Sequence, residues 1–251
     1  MGSSVGTALL ITTLAGLSTT IGSLLGLWFK EPGPRLISAT LGFSAGVMLL
    51  VSFMELLVSG MEHIGFARSQ LGFFAGMLAM FAIDSLIPHH YYAEKSGVDE
   101  KRGKMYRTGL LVALGIGIHN FPEGMATFAG ALQDTKLGIA IGTAIAIHNI
   151  PEGLAVSAPV YLATGSRAKA FWWSFLSGIA EPAGAALAAL FLVRYLDETV
   201  LGWLLSIVAG VMVYISLDEL IPASREYGKD NHAILGAIAG MAVMGLSLWL
   251  L

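Results

Sequence analysis

The chain reads as an all-α integral membrane protein of eight transmembrane helices, and three observations carry that expectation. Hydrophobic residues make up 55% of it and charged residues 12%, with a mean hydropathy of +0.74, outside the range of a soluble globular domain. The apolar residues fall in long runs, and a run of roughly 17–25 is what a bilayer-crossing helix requires. Lys and Arg gather in alternate breaks between the runs, as the positive-inside bias demands. The net charge of −3 says little by itself, and no nucleic-acid partner is expected.

The spans follow in order. The first, about 5–29, is preceded by Met1-Gly2-Ser3-Ser4, which lacks the basic segment of a secretory signal, so the run is expected to stay as a helix. It ends at Lys30-Glu31-Pro32-Gly33-Pro34-Arg35, where proline, glycine and charge stop both helix and membrane. Spans at about 36–59 and 66–88 follow, then the longest polar break, His89 to Lys104. Span 4 at about 106–130 and span 5 at about 137–162 are separated only by the break containing Gln133-Asp134-Thr135-Lys136. Gly165-Ser166-Arg167 precedes span 6 at about 168–193, and spans at about 200–222 and 232–251 complete the set. The whole of 1–251 is thus one polytopic membrane domain with a cytoplasmic loop at about 89–105.

Orientation rests on the 14 basic residues. With both termini outside, the inner side holds Lys30, Arg35, Lys95, Lys101, Arg102, Lys104, Arg107, Arg167, Lys169, Arg225 and Lys229. The outer side keeps only Arg68, Lys136 and Arg194. Removing one span would flip every later loop and blur this bias, so the same asymmetry supports eight spans. Span 2 ends in Ser52-Phe53-Met54-Glu55-Leu56 and span 7 in Ser216-Leu217-Asp218-Glu219-Leu220, a shared Ser-x-x-Glu-Leu on helices of opposite direction. Opposite topology in related segments marks an inverted repeat, here spans 1–3 and 6–8 around helices 4 and 5.

Two hexapeptides carry the chemistry. His119-Asn120-Phe121-Pro122-Glu123-Gly124 recurs, 29 residues later, as His148-Asn149-Ile150-Pro151-Glu152-Gly153. Each lies mid-span, where ionisable groups are costly and are retained for an ion or substrate path. Glu181-Pro182 stands at the centre of span 6. At 3.6 residues per turn His119 and Glu123 lie one above the other, with Asn120 beside them, and His148, Asn149 and Glu152 do the same. Pro122, Pro151 and Pro182 withdraw the N–H groups that would bond the carbonyls of Ile118, Ile147 and Gly178. Freed carbonyls at membrane depth need protein, water or an ion. Cysteine is absent, so a metal would be held by nitrogen and oxygen alone, a donor set suited to Zn2+, Fe2+, Mn2+ or Co2+. The ion is a passenger, with no prosthetic group.

Glu55 near the outer end of span 2, and Asp218 and Glu219 near the inner end of span 7, are candidate entry and exit carboxylates. Asp84 reads as an interfacial residue, the adjacent His89 and His90 fit a solvated helix end as readily as a metal collector, and His63 and His232 carry no signal. A hydrolytic zinc site would need a water-activating motif such as His-Glu-x-x-His, which the sequence lacks, so no enzyme is expected. A metal-selective channel remains the alternative to a secondary carrier.

These motifs resemble the ZIP (Zrt/Irt-like) metal transporters, most nearly the bacterial ZupT-type branch, over almost the whole chain. Tyr214-Ile215-Ser216-Leu217-Asp218-Glu219-Leu220-Ile221-Pro222 shares the likeness. The resemblance implies eight helices in the cell (inner) membrane with both termini extracytoplasmic, agreeing with the charge count. It implies import of divalent metals, Zn2+ and Fe2+ with Mn2+, Co2+ and Cd2+ as further cargo, through a two-metal site. The ligands it implies are His119, Asn120, Glu123, His148, Asn149, Glu152 and Glu181. Some members of the family have Asp where this sequence has Asn149. Partners are then the metal ions and the bilayer, with a homodimer left open.

Overall fold

The computed structural model describes residues 4–28, 33–86, 100–227 and 230–250, and among these no strand occurs. Eight helices run through them: α1 (Val5–Trp28), α2 (Pro34–Ile64), α3 (Phe66–Leu86), α4 (Glu100–Gln133), α5 (Thr135–Thr164), α6 (Arg167–Leu187), α7 (Glu198–Ile215, carried on through Ser216–Leu220 and Ile221–Tyr227) and α8 (Asp230–Leu250). Seven of them are long and apolar enough to cross a membrane. The eighth, α4, carries the polar run His119-Asn120 and Glu123 in its middle.

Several helices outrun the apolar runs that announce them. Hydropathy marks only what the bilayer covers, whereas backbone hydrogen bonding continues into water until a cap stops it. So α2 reaches Ile64 instead of 59, and α7 reaches Tyr227 instead of 222. Helix α4 already begins at Glu100, within the segment expected as a loop at 89–105; residues 87–99, with His89 and His90, lie outside the described residues. The caps are in the sequence. Asp134 accepts from the amides of Lys136 at 2.7 Å and Leu137 at 2.9 Å to start α5, and the Leu137 and Lys136 bonds hold its carboxyl below the usual range. Ser166 starts α6 and Asp197 starts α7 in the same way. Gly165, in the left-handed region at φ 65°, ends α5, where a side chain would be strained.

The surface is apolar, and the interior combines an apolar core, with Leu41, Met48, Leu201 and Met212 among its residues, with many small and polar side chains. Leu10, Leu14 and Ile21 of α1, Leu71, Phe74 and Leu78 of α3, and Leu235, Ile238 and Trp249 of α8 are exposed. Thr12, Ser18, Thr19 and Ser23 on the other face of α1 are buried. Water would not tolerate such a surface, but lipid does, and small residues then let helices close on one another. Helices α4 and α5 pack together at the centre, with α1 and α6 against them on one side and α2 and α7 on the other; α8 covers α2 and α3 covers α7. Glycines make the closest crossings. A Cβ on Gly124 would run into the Glu181 carbonyl, and one on Gly184 into the Phe121 carbonyl, so α4 and α6 touch backbone to backbone. Gly153 against the Thr19 carbonyl and Gly22 against the Ile150 carbonyl do the same for α5 and α1.

Two further breaks coincide with the Ser-x-x-Glu-Leu repeat. Ser52–Leu56 in α2 and Ser216–Leu220 in α7 are both single π-helical turns. In each the buried serine hydroxyl donates to the carbonyl four residues back, Ser52 to Met48 at 2.6 Å and Ser216 to Met212 at 2.8 Å. Such turns place an extra residue in the helix and often mark functional positions.

Candidate metal centre

All seven residues of the hexapeptide motifs and span 6 are completely buried: His119, Asn120 and Glu123 on α4, His148, Asn149 and Glu152 on α5, and Glu181 on α6. The antiparallel packing of α4 on α5 pairs the motifs crosswise. His119 Nε2 stands 3.4 Å from Glu152 Oε2, and His148 Nε2 stands 3.5 Å from Glu123 Oε2. Two donors on one tetrahedral zinc are about 3.3 Å apart, so each pair is spaced like two ligands of a common ion. Among the described residues, however, no group of three or more His, Asp or Glu side chains is gathered so that it could hold a metal. Coordination by both pairs requires them to draw together.

The tautomer of His148 suits this role. Its Nδ1 lies 3.1 Å from the Ala144 carbonyl, a contact in which Nδ1–H donates and Nε2 keeps its lone pair for the centre. Behind the pairs lies an oxygen-rich half. Asn149 Nδ2 donates to Glu181 Oε2 at 2.8 Å and to the Ala15 carbonyl of α1 at 3.1 Å, and Asn120 Nδ2 donates to the Ser177 carbonyl at 3.2 Å. Each amide donates to a neighbouring helix, Asn149 also to Glu181, and leaves its oxygen without a partner.

The result is a concentration of unpaired buried acceptors. Asn120 Oδ1, Asn149 Oδ1, both oxygens of Glu123, Glu181 Oε1 and His148 Nε2 have no hydrogen-bond partner. An unsatisfied buried acceptor costs about 1–3 kcal/mol, more when charged. Six of them at one place form a set that a cation would compensate, because lone pairs and carboxylates attract it.

One contributor was not anticipated. Ser44 of α2, completely buried, donates from Oγ to Glu152 Oε1 at 3.4 Å and lies 3.5 Å from the His148 carbonyl. The sequence places Ser38, Ser44 and Ser52 on one helix, and nothing in it singles out the middle one. The flanking carboxylates fall elsewhere. Glu55 and Glu219 each sit inside a π turn, half-buried, and Asp218 is exposed. Glu219 reaches α4: a Cβ on Gly115 would meet its carboxylate oxygens, one turn, about 6 Å, before His119. Asp84 accepts from the Tyr214 hydroxyl at 3.4 Å, tying α3 to α7.

Long helices with apolar outer faces, seven of them fit by length and composition to cross a membrane, around a buried nitrogen and oxygen centre on three proline-containing helices define a multi-pass membrane protein whose centre suits a cation. The family model described as ZIP zinc transporter matches residues 87–248. Similar proteins include the zinc transporter ZupT of Chlorobium phaeovibrioides, 51% identical over 97% of each chain, and that of Streptococcus mutans, 48% identical over 97% of each. The zinc transporter ZupT of an Enterobacter species is 43% identical over 97% of this chain and 96% of its own. The chain belongs to the ZIP zinc transporter family, with its relatives of the ZupT type, and is a divalent metal ion transporter, not an enzyme.

Proposed function

We propose that the protein imports divalent metal ions, Zn2+ and Fe2+ foremost and Mn2+, Co2+ and Cd2+ as further cargo, across the cell (inner) membrane into the cytoplasm. The ion passes through the centre formed by His119, Asn120, Glu123, His148, Asn149, Glu152 and Glu181. The observation that carries this reading is the set of unpaired buried acceptors shared by three helices. The relatives' name as zinc transporters supports zinc as a cargo. Glu55 is the entry carboxylate on the outer side, and Asp218 with Glu219 receives the ion on the inner side. Uptake of a metal panel into liposomes holding the purified protein tests the proposal. Saturable uptake supports a carrier, and ohmic single-channel current would replace it by a channel.

The carrier reading is supported by the two π turns at equivalent places in α2 and α7, and by the parallel pairings α1 on α5 and α6 on α4, α2 on α8 and α7 on α3. These are the relations expected of spans 1–3 and 6–8 repeated with inverted topology around α4 and α5, an arrangement that permits alternating access.

Both termini face outward in this reading, within one polytopic domain. Because the chain has no cysteine, a single one introduced at Gly97, which lies outside the described residues, gives an unambiguous label. Labelling only from the cytoplasmic side is expected; labelling from outside intact cells would overturn the orientation.

Imidazole and carboxylate ligands bind metal deprotonated. Metal binding by the purified protein is therefore expected to release protons, measured by calorimetry as an enthalpy that changes with the buffer. An identical enthalpy in several buffers would exclude protonation as the means by which Glu123, Glu152 and Glu181 are compensated between transport cycles.

A further inference from the structure

We infer that Ser44 is a specificity-determining residue: by occupying one oxygen of Glu152 it biases that carboxylate to bind metal through the other oxygen alone, favouring four-coordinate ions. The inference rests on the function proposed for this centre. Glu152 is divided between two helices. Its Oε2 faces His119 Nε2 at 3.4 Å, and its Oε1 accepts from Ser44 Oγ at 3.4 Å. Glu123, its counterpart in the other hexapeptide, has neither oxygen hydrogen-bonded. The two carboxylates of an otherwise repeated motif are therefore chemically unequal, and a hydroxyl from α2 makes them so.

The consequence follows from ligand counting. His119, His148, Glu123 and Glu152, each giving one atom, supply a nitrogen and oxygen set of the size that zinc takes in tetrahedral sites. Mn2+ suits octahedral oxygen-rich coordination, and a carboxylate that offers both oxygens raises the ligand count for such an ion. While the Ser44 hydroxyl engages Oε1, two-oxygen binding by Glu152 requires that hydrogen bond to break. The contact is long for an O–H···O bond, and the Ser44 proton also has the His148 carbonyl 3.5 Å away. The hydroxyl therefore biases the carboxylate without locking it, and its effect is a shift of preference, not loss of transport.

Ser44→Ala removes the hydroxyl and Ser44→Thr retains it. The readout is kcat/KM for Zn2+ and for Mn2+ in liposomes containing each purified full-length variant, with wild type alongside. Ser44→Ala is expected to move the Mn2+ to Zn2+ ratio of kcat/KM upward by about three- to tenfold, the range of an ordinary hydrogen bond and below that of a short one to a charge, as the 3.4 Å length implies, and Ser44→Thr to stay near wild type. A purely structural role would lower both metals together and leave the ratio fixed. An unchanged or lowered ratio in Ser44→Ala, with wild type transporting normally, overturns the inference and leaves the proposed function intact. Wild-type protein that moves neither metal overturns the proposed function itself. Should Ser44→Ala fail to fold, Ser44→Gly serves in its place with the same expected shift and the same overturning result.

Discussion

Glu123→Gln is expected to reduce divalent-metal uptake to background while leaving the protein folded and no less stable than wild type. Both carboxylate oxygens of Glu123 are buried without a hydrogen bond, and the His148 imidazole that faces them stands 3.5 Å away at Nε2. In the unloaded protein that carboxylate is a burden, so a neutral amide of the same shape relieves cost instead of adding it. For the ion the exchange runs the other way. Taking away one partner of a buried charge pair costs about 3–5 kcal/mol, which is roughly two to four orders of magnitude in occupancy. Glu152→Gln should lose transport similarly. Asn120→Ala is expected to be milder, within about tenfold, because a neutral amide oxygen contributes less than a carboxylate. Metal uptake in liposomes together with thermal unfolding in detergent separates the two effects. A folded Glu123→Gln variant with normal uptake would remove Glu123 from the ligand set.

The same contrast between charge and scaffold shows what was legible in the sequence. The membrane class was readable because bilayer thickness imposes a length on apolar runs, and the motifs because ionisable residues at such depth are rare. Helix ends were not readable from hydropathy: α4 begins at Glu100, well before its apolar run, because its backbone bonds do not depend on the bilayer. The cross-pairing of His119 with Glu152 and His148 with Glu123 was also hidden. Stacking within one helix follows from 3.6 residues per turn, but pairing between helices depends on how each is rotated about its axis. That rotation is set by distant contacts such as Gly124 on Glu181 and Gly153 on Thr19. Ser44 illustrates the limit. Its role comes from where α2 crosses α5, and a serine in a span rich in small residues announces nothing.

The π turns lie between these cases. The Ser-x-x-Glu-Leu likeness marks both places, but a local sequence does not declare an extra residue per turn. In each turn a buried serine satisfies a carbonyl of the helix. Glu55 and Glu219 are thereby presented from inside helices instead of from their ends. Of the two, Glu219 lies over Gly115 of α4, one turn before His119.

Gly124→Ala is expected to cost more than any other single methyl group added to α4, and to impair both stability and transport. The added carbon would overlap the Glu181 carbonyl, and main chain cannot swing aside as a side chain does. Relief requires α4 and α6 to separate, against the reciprocal contact of Gly184 on the Phe121 carbonyl. Overpacking of this kind costs about 1–3 kcal/mol and sometimes more. The displacement also carries Glu181 away from Asn149 Nδ2, whose bond to it is 2.8 Å, so the oxygen-rich half of the centre loses its alignment. Gly117→Ala, two helical turns earlier on the same helix, is the control. Its Cβ would meet nothing nearer than the Ser177 Cα at 3.8 Å, an ordinary contact, and alanine gains about 0.8–1.0 kcal/mol of helix propensity. Thermal unfolding in detergent should therefore fall for Gly124→Ala and hold or rise for Gly117→Ala, with zinc uptake following the same order. Equal stability of the two variants would mean that α4 and α6 do not meet backbone to backbone. The site would then owe its geometry to side chains alone, which the close reciprocal glycines argue against.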